Sequence, residues 1–169
     1  MKYNYKHRWL KERKLKGLPA NLRRLLIDNS SLTKRIILDK NDHIKFISSQ
    51  INLTRQFGKS SRKFSLVRKV ELSGVLEKPI SATSYTLVSN IKGRMCCIKR
   101  LGEKSLATLL FKKPKFIKET VNYTVKSDYV LRTTLFKKRK LYIKVEETFP
   151  KCNNYFDLRL IECRNNLIN

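Results

Sequence analysis

Two charged residues, Arg68 and Glu147, stand where the sequence predicts the buried face of a β-strand. Side chains alternate along a strand, so in the segment 64–72 Arg68 lies on the apolar face. The residues that share this face are Leu66, Val70 and Leu72. A buried guanidinium is costly unless it is paired and hydrogen-bonded, and its planar fork fits a carboxylate with two parallel hydrogen bonds. The pattern predicts either that Arg68 binds an anionic ligand or that it has a structural role. In the second case Arg68 would form a buried ion pair or lie at the edge of the sheet.

Glu147 is the second anomaly, in the segment 141–149. Four apolar residues share its inward face: Leu141, Ile143, Val145 and Phe149. Glu146 points to the other side, so the strand phase selects Glu147 as the inward carboxylate. Two inward charges of opposite sign predict a polar pocket beneath an apolar sheet, suited to a ligand with a carboxylate and a hydroxyl. The same two charges could instead pair with each other.

The elements that must hold these charges follow from the spacing of apolar residues and from the breakers between them. Residues 8–28 read as helical with a break that begins at Gly17, and 54–63 read as a polar connection. The segment 104–111 reads as a short capped helix that ends before Pro114. Strands are predicted from His43 and in the segments 64–72, 80–90, 121–125, 129–136 and 141–149. Helices at the front, followed by strands with short connections, predict an α+β fold with an antiparallel sheet.

The composition is typical of a globular single-domain protein. The 169 residues match the usual length of one domain, and a hydrophobic fraction of 41% is enough to build a core. No apolar run reaches the roughly 20 residues that span a bilayer, and the basic N-terminus lacks an apolar stretch of signal-peptide length. The sequence therefore predicts one cytoplasmic domain over 1–169, without a membrane span. It contains no Walker loop, glycine-rich nucleotide fingerprint or metalloprotease motif.

The formal charge of +26 arises from 39 Lys and Arg against 13 Asp and Glu. A surface this basic can bind the phosphates of nucleic acid or of an anionic membrane. It can also result from codon bias that fills exposed positions with lysine. The basic residues are spread from Lys2 to Arg164 and are not clustered among aromatics, which favours the compositional explanation. In either case the protein attracts anionic ligands.

The cysteines do not have the spacing of a metal site. The vicinal pair Cys96 and Cys97 cannot form a zinc knuckle, and no histidine lies near a cysteine at ligand spacing. All four cysteines, the other two being Cys152 and Cys163, are predicted to be reduced packing or surface residues.

Four local strings follow one another along the chain. They are Ser31-Leu32-Thr33-Lys34-Arg35, Val67-Arg68-Lys69-Val70, Leu101-Gly102-Glu103-Lys104-Ser105-Leu106 leading to Leu110-Phe111, and Glu147-Thr148-Phe149-Pro150. Their order and spacing, together with the two inward charges, resemble the chorismate pyruvate-lyase family of ubiquinone biosynthesis and its plastid-encoded relatives. The similarity covers roughly residues 9–150 and is that of a divergent member.

The resemblance implies a single chorismate lyase-like domain, in which helical flaps cover an enclosed ligand site on an antiparallel sheet. It implies a lyase that converts chorismate to 4-hydroxybenzoate and pyruvate without a metal or an organic cofactor. By position, Arg68 would grip the ring carboxylate, and Glu147 would contact the hydroxyl at the opposite end. Leu32 and Leu106 would contact the substrate mainly through their backbone. The implied partners are the substrate and the product, with no obligatory nucleic acid, and the chain is expected to be a monomer.

The sequence departs from the family pattern in several places. Many members carry an arginine near the position of Ser84 and a proline near Val88, and both are missing. The spacing of some members would select Glu146, whereas the E-x-F pattern and the strand phase select Glu147. The segment 151–169 extends beyond the similarity and has no predicted role. Two alternative functions stay open, a non-catalytic carboxylate-binding domain of the same fold and a basic nucleic-acid-binding protein.

Overall fold

The computed structural model describes residues 13, 15–28, 32, 44–55, 62–73, 76–112, 115–153 and 155. Within them the strands are β1 (Ile44–Arg55), β2 (Arg62–Leu72), β3 (Ile80–Leu87), β4 (Ile117–Val125), β5 (Tyr129–Lys138) and β6 (Leu141–Pro150). The helices are α1 (Ala20–Ile27), α2 (Ala107–Leu110) and the 3-10 helices Val88–Asn90 and Gly93–Arg100. The strands pair antiparallel in the order β1-β2-β3-β6-β5-β4. The chain is thus an α+β protein built on an antiparallel sheet, as the sequence predicted.

The first hairpin is longer than predicted. The sequence predicts a polar connection over 54–63, but Thr54 pairs with Lys63 and Arg55 with Arg62 at the ends of β1 and β2. The side chains at this end of the hairpin are mostly exposed, so they show no apolar alternation. Backbone hydrogen bonds continue the ladder regardless of side-chain polarity.

The helix α1 begins directly after Pro19, and the predicted break lies at Gly17, whose φ is +88°. Glycine adopts this left-handed conformation without steric cost, and proline suits the start of a helix. The first part of the predicted helical segment, 8–12, lies outside the described residues.

Two short helical segments differ from the sequence expectation. The predicted helix 104–111 shrinks to the single turn of α2. The 3-10 helix Gly93–Arg100 is missed by the sequence, because its buried residues, Met95 and Ile98, are three positions apart. That spacing fits the three-residue turn of a 3-10 helix and lacks the longer pattern of an amphipathic α-helix.

A long crossover places apolar residues over one face of the sheet. The chain leaves β3 near the middle of the sheet and re-enters at β4 on its far edge. One cluster joins this crossover to the sheet: Leu66, Ile91, Met95, Ile98, Leu101, Leu110, Phe116, Phe136, Ile143 and Val145. A second cluster packs around α1 at the other end of the same face: Leu15, Leu22, Leu25, Leu26, Leu32, Leu72, Leu76, Ile80, Val130, Phe149 and Tyr155.

Two cross-strand rows separate these clusters and carry the buried charges. The first row, across β2, β3, β6 and β5, is Arg68, Ser84, Val145 and Thr134. The second row across the same strands is Val70, Ala82, Glu147 and Arg132. We call these two rows the polar belt. Because mainly apolar rows flank it on both sides, the sheet confines these charges to a band two rows wide.

The segment that follows β6 begins packed against the rest of the domain. The Asn153 side chain accepts a hydrogen bond from the Lys78 N–H at 2.9 Å and donates one to the Lys78 carbonyl at 2.8 Å. The Tyr155 hydroxyl donates to the Pro150 carbonyl at 2.6 Å, and its ring joins the cluster around α1. The start of the extension 151–169 therefore closes the core, and 156–169 lies outside the described residues.

Cys96, Cys97 and Cys152 are free and exposed, and Cys163 lies outside the described residues. None of the described helices is long and apolar enough to cross a membrane.

Candidate functional site

A cavity lies in the polar belt, between the two clusters. Its described lining residues are Leu32, Ile44, Arg68, Val70, Leu72, Ala82, Ser84, Ser105, Leu106, Ala107, Leu110, Phe111, Lys118, Arg132, Thr134, Phe136, Val145 and Glu147. The four residues singled out in the sequence are all among them. Arg68 comes from β2 and Glu147 from β6, while Leu106 directly precedes α2 and Leu32 follows α1. The fold thus brings to one cavity residues that are far apart in the sequence.

Arg68 is buried, with only 3% of its surface exposed. Its Nη2 donates to the carbonyl oxygens of Gly102 at 2.6 Å and Lys104 at 2.8 Å. Its Nε is buried and has no hydrogen-bond partner among the described residues. No carboxylate of the described residues forms an ion pair with the Arg68 guanidinium. Burial lowers the pKa of this guanidinium below its ordinary value, but arginine remains charged at neutral pH. A buried cation with an unused donor at a cavity wall suits an anion.

The loop that precedes α2 is shaped to meet Arg68. The Lys104 N–H donates to the Leu101 carbonyl at 2.8 Å, and Gly102 has φ +49°, so the chain turns tightly. Glycine tolerates this left-handed backbone better than other residues. The turn directs two carbonyls at one guanidinium nitrogen, so Arg68 ties the segment that lines the cavity to the sheet.

Glu147 pairs with Arg132 and not with the other buried arginine. Arg132 Nε donates to Glu147 Oε2 at 2.6 Å, and the two side chains are 6% and 12% exposed. Arg132 Nη1 also donates to the carbonyls of Leu25 and Leu26 in the last turn of α1, and the guanidinium lies over the Phe149 ring at 5.1 Å. Burial lowers the pKa of Arg132, but the Glu147 carboxylate, with smaller contributions from Tyr123 and Asp28, raises this pKa above its ordinary value overall. A cation near a helix C-terminus also complements the helix dipole.

Lys118 on β4 brings a third cation to the cavity wall. Its ammonium donates to the Asp28 carbonyl at 3.4 Å. Burial and the nearby Arg132 lower the pKa of Lys118 to about 8, although Glu147 and Asp28 act in the opposite direction. The charged lining residues are therefore three cations and one carboxylate, which leaves the described wall with an excess of positive charge.

Arg132 and Lys118 are site residues that sequence reasoning misses. The sequence does contain a pattern that indicates Arg132, because this residue shares the inward phase of the alternating segment 129–136 with Val130, Thr134 and Phe136. No such pattern indicates Lys118, because a register shift between Lys118 and Thr120 breaks the alternation of β4.

A larger groove lies on the opposite face of the sheet, the face to which Glu146 points. Glu146 accepts hydrogen bonds there from the Tyr85 hydroxyl at 2.7 Å and the Lys144 ammonium at 3.0 Å. The groove has a volume of about 410 Å³, against about 80 Å³ for the cavity. Its described lining residues are Thr54, Arg55, Lys63, Ser65, Tyr85, Leu87, Asn90, Glu119, Leu135, Lys140, Tyr142 and Lys144. Size favours the groove, but buried and perturbed charges mark the cavity as the better candidate for a small-ligand site.

The cavity wall offers a cation for a carboxylate at Arg68, an acceptor for a hydroxyl at Glu147, and apolar surface at residues such as Leu106 and Phe111. No protein-family model matches the sequence, and no curated protein is significantly similar to it. A function for this protein is therefore inferred from the charges and the geometry of the cavity.

Proposed function

We propose that the protein is a chorismate pyruvate-lyase, which eliminates pyruvate from chorismate to give 4-hydroxybenzoate, the first step of ubiquinone biosynthesis. The observation that carries the proposal is the buried Arg68, whose Nε has no partner among the described residues, on the same cavity as Glu147. These are the residues that the family resemblance assigns to the two ends of the substrate. In this proposal the protein works in the cytoplasm as a monomer, with substrate and product as its only required partners.

The proposed ligand matches the polarity of the cavity from end to end. Its ring carboxylate accepts hydrogen bonds from Arg68, and its ring hydroxyl donates to Glu147. In the sheet, Glu147 lies two strands and two residues away from Arg68. This corresponds to about 10 Å across the strands and about 7 Å along them, which leaves room for a ring between the two side chains. Leu32 and Leu106 contact the ligand from the side opposite the sheet.

The reaction requires few chemical groups from the protein. The ether C–O bond breaks, the ring carbon that bears the hydroxyl loses its proton, and the ring becomes aromatic. The enolpyruvate that leaves takes up a proton and becomes pyruvate. Because aromatisation drives the reaction, the protein mainly fixes a reactive conformer, excludes water and stabilises developing charge. Glu147, at the hydroxyl end, is placed to assist the proton transfer.

In this mechanism residues 102–111 form a flap over the cavity. Pockets that hold small molecules usually measure roughly 300–1,000 Å³, well above the cavity's volume of about 80 Å³. Ser105, Leu106, Ala107, Leu110 and Phe111 line the cavity from this segment. The segment therefore has to move outwards to admit the substrate and close over it afterwards.

Turnover is tested with chorismate itself. The folded protein should release 4-hydroxybenzoate and pyruvate in equal amounts, measured by chromatography and by a coupled pyruvate assay. Lys69→Met is the matched control, because Lys69 adjoins Arg68 on β2 but is exposed on the other face of the sheet. It should keep the wild-type rate. Absence of both products from wild-type protein with a native circular dichroism spectrum would exclude the lyase.

Binding without turnover is a second candidate, and Ser84 favours it. Ser84 is the cross-strand neighbour of Arg68, is 4% exposed and lines the cavity. The family pattern has an arginine near this position, and a serine hydroxyl supplies no charge there. If 4-hydroxybenzoate raises the melting temperature while chorismate stays intact, the site is a carboxylate-binding module.

The open groove favours a third candidate, single-stranded nucleic acid. Arg55, Lys63, Lys140 and Lys144 line it together with two tyrosines, a combination that can hold phosphates and stack bases. If it does so, log affinity for an oligonucleotide should fall steeply with log salt, and Lys63→Met with Lys140→Met should lower that slope by about two. Fluorescence anisotropy measures both quantities. A slope that the two substitutions leave unchanged would rule out the groove.

A further inference from the structure

Two serines flank Arg68 across the sheet, one on each neighbouring strand. Ser49 on β1 and Ser84 on β3 both pair directly with Arg68. Side chains of directly paired residues point to the same face, with their Cβ atoms about 4.5–5.5 Å apart. Ser49 is exposed and is not among the lining residues, whereas Ser84 is only 4% exposed and lines the cavity. A ligand in the cavity can therefore meet the Ser84 hydroxyl beside Arg68.

The Arg68 guanidinium has a fixed place next to this hydroxyl. Its Nη2 donates to the carbonyls of Gly102 and Lys104, so the long side chain is held by the loop as well as by its own strand. Ser84 stands on the central strand β3, which pairs with β2 on one side and β6 on the other. A carboxylate that contacts the guanidinium from inside the cavity is therefore close to the Ser84 side chain.

A buried carboxylate needs more donors than one arginine supplies. It can accept about four hydrogen bonds, and a guanidinium fork provides two of them at most. Leaving water is costly for such a group unless other donors replace the lost solvent. The Ser84 hydroxyl forms no hydrogen bond with another described residue, and a hydroxyl can rotate to donate to an anion. Val145, the next residue of the same cross-strand row, has no side-chain donor.

We infer that Ser84 binds the carboxylate of the ligand together with Arg68. The inference rests on the proposed function, in which Arg68 holds this carboxylate. The charge then comes from β2 and a neutral, directional donor from β3. The arginine that the family pattern has near this position would add a second charge, whereas the hydroxyl adds a hydrogen bond and leaves one cation for one carboxylate. Ser84 is thus a binding residue for the carboxylate end of the ligand.

Titration calorimetry with 4-hydroxybenzoate tests the inference. Ser84→Ala should weaken binding about tenfold to hundredfold, because a buried hydrogen bond to a charged group is lost. Ser84→Cys keeps the size of the side chain but replaces the hydroxyl with a weak donor, so it should weaken binding nearly as much. Ser49→Ala is the matched control. It removes the exposed serine on the other side of Arg68 and should change the affinity less than about threefold.

Steady-state kinetics with chorismate supplies a readout that a loss of folding would not produce. The carboxylate is present in the substrate and in the transition state, so the hydrogen bond from Ser84 should stabilise both equally. Ser84→Ala should therefore raise KM and should not lower kcat. A variant that is partly unfolded would instead lose kcat in proportion to the missing native protein.

The possible results separate this inference from the proposed function. Wild-type affinity in Ser84→Ala, or in Ser84→Cys alone, would overturn the role of the hydroxyl as a donor. An equal loss of affinity in Ser49→Ala would overturn it as well. A wild-type protein that binds 4-hydroxybenzoate but leaves chorismate intact would exclude the lyase, and the affinities of the serine variants would still decide the role of Ser84. If 4-hydroxybenzoate does not bind the wild type, the proposed function fails and this inference fails with it.

Discussion

In the proposed lyase, replacing Arg68 by methionine should lower the affinity for 4-hydroxybenzoate by about 30-fold to 1,000-fold and should remove measurable turnover of chorismate. Methionine fills similar space but supplies neither the charge nor the fork of donors. The expected loss is about 2–4 kcal/mol, the size of a charge-assisted bidentate contact in a buried site. Titration calorimetry measures the affinity, and product release measures the rate.

Two further variants make this result specific. Arg68→Lys keeps the charge without the planar fork, so it should recover only part of the affinity. Lys69→Met removes the neighbouring charge on the other face of β2 and should bind like the wild type. Arg68→Met protein that keeps a native spectrum and wild-type affinity would show that the carboxylate binds elsewhere.

Glu147→Gln should lower the free energy of unfolding by about 3–5 kcal/mol, because it leaves the Arg132 guanidinium buried without its counter-ion. The two side chains are only 6% and 12% exposed, so water cannot replace the lost carboxylate well. Domains of this size are usually stable by about 5–15 kcal/mol, so the change should be large in urea denaturation.

Glu146→Gln is the matched control for this prediction. Glu146 contacts Lys144 and Tyr85 on the other face, where the ion pair is partly exposed, and its loss should cost about 1 kcal/mol or less. Combining Glu147→Gln with Arg132→Met should restore part of the lost stability, since the double variant also removes the guanidinium that Glu147→Gln alone leaves unpaired. Equal effects of the two single glutamine variants would show that the Arg132 pair does not stabilise the fold.

The part of the site that the sequence predicts is the part carried by regular strands. The two-residue alternation of β2 and β6 predicts Arg68 and Glu147 as inward residues, and the structure places both on the cavity wall. Arg132 obeys the same rule on β5, where the sequence shows it among apolar neighbours. The order of helical and alternating segments predicts the fold class. It does not predict the strand order, because local periodicity carries no information on which strands pair.

The remaining features depend on interactions that a local pattern does not contain. Lys118 faces the cavity only because of the bulge in β4. The choice of Arg132 as the partner of Glu147 is a matter of register between β5 and β6. The contact of Arg68 with the loop at Gly102 joins segments that are 34 residues apart. Each of these is a tertiary property that becomes visible only when the sheet is assembled.

The two hydrogen bonds from Arg68 to the loop at Gly102 and Lys104 have a consequence for the speed of release. One guanidinium holds the closed loop through Nη2 and, in the proposed complex, also binds the carboxylate, so the two contacts reinforce each other. Opening the loop breaks two charge-assisted bonds while the bound carboxylate keeps the arginine in place. We therefore expect a long residence time for carboxylate ligands and, in the proposed lyase, departure of 4-hydroxybenzoate that is slower than the chemical step.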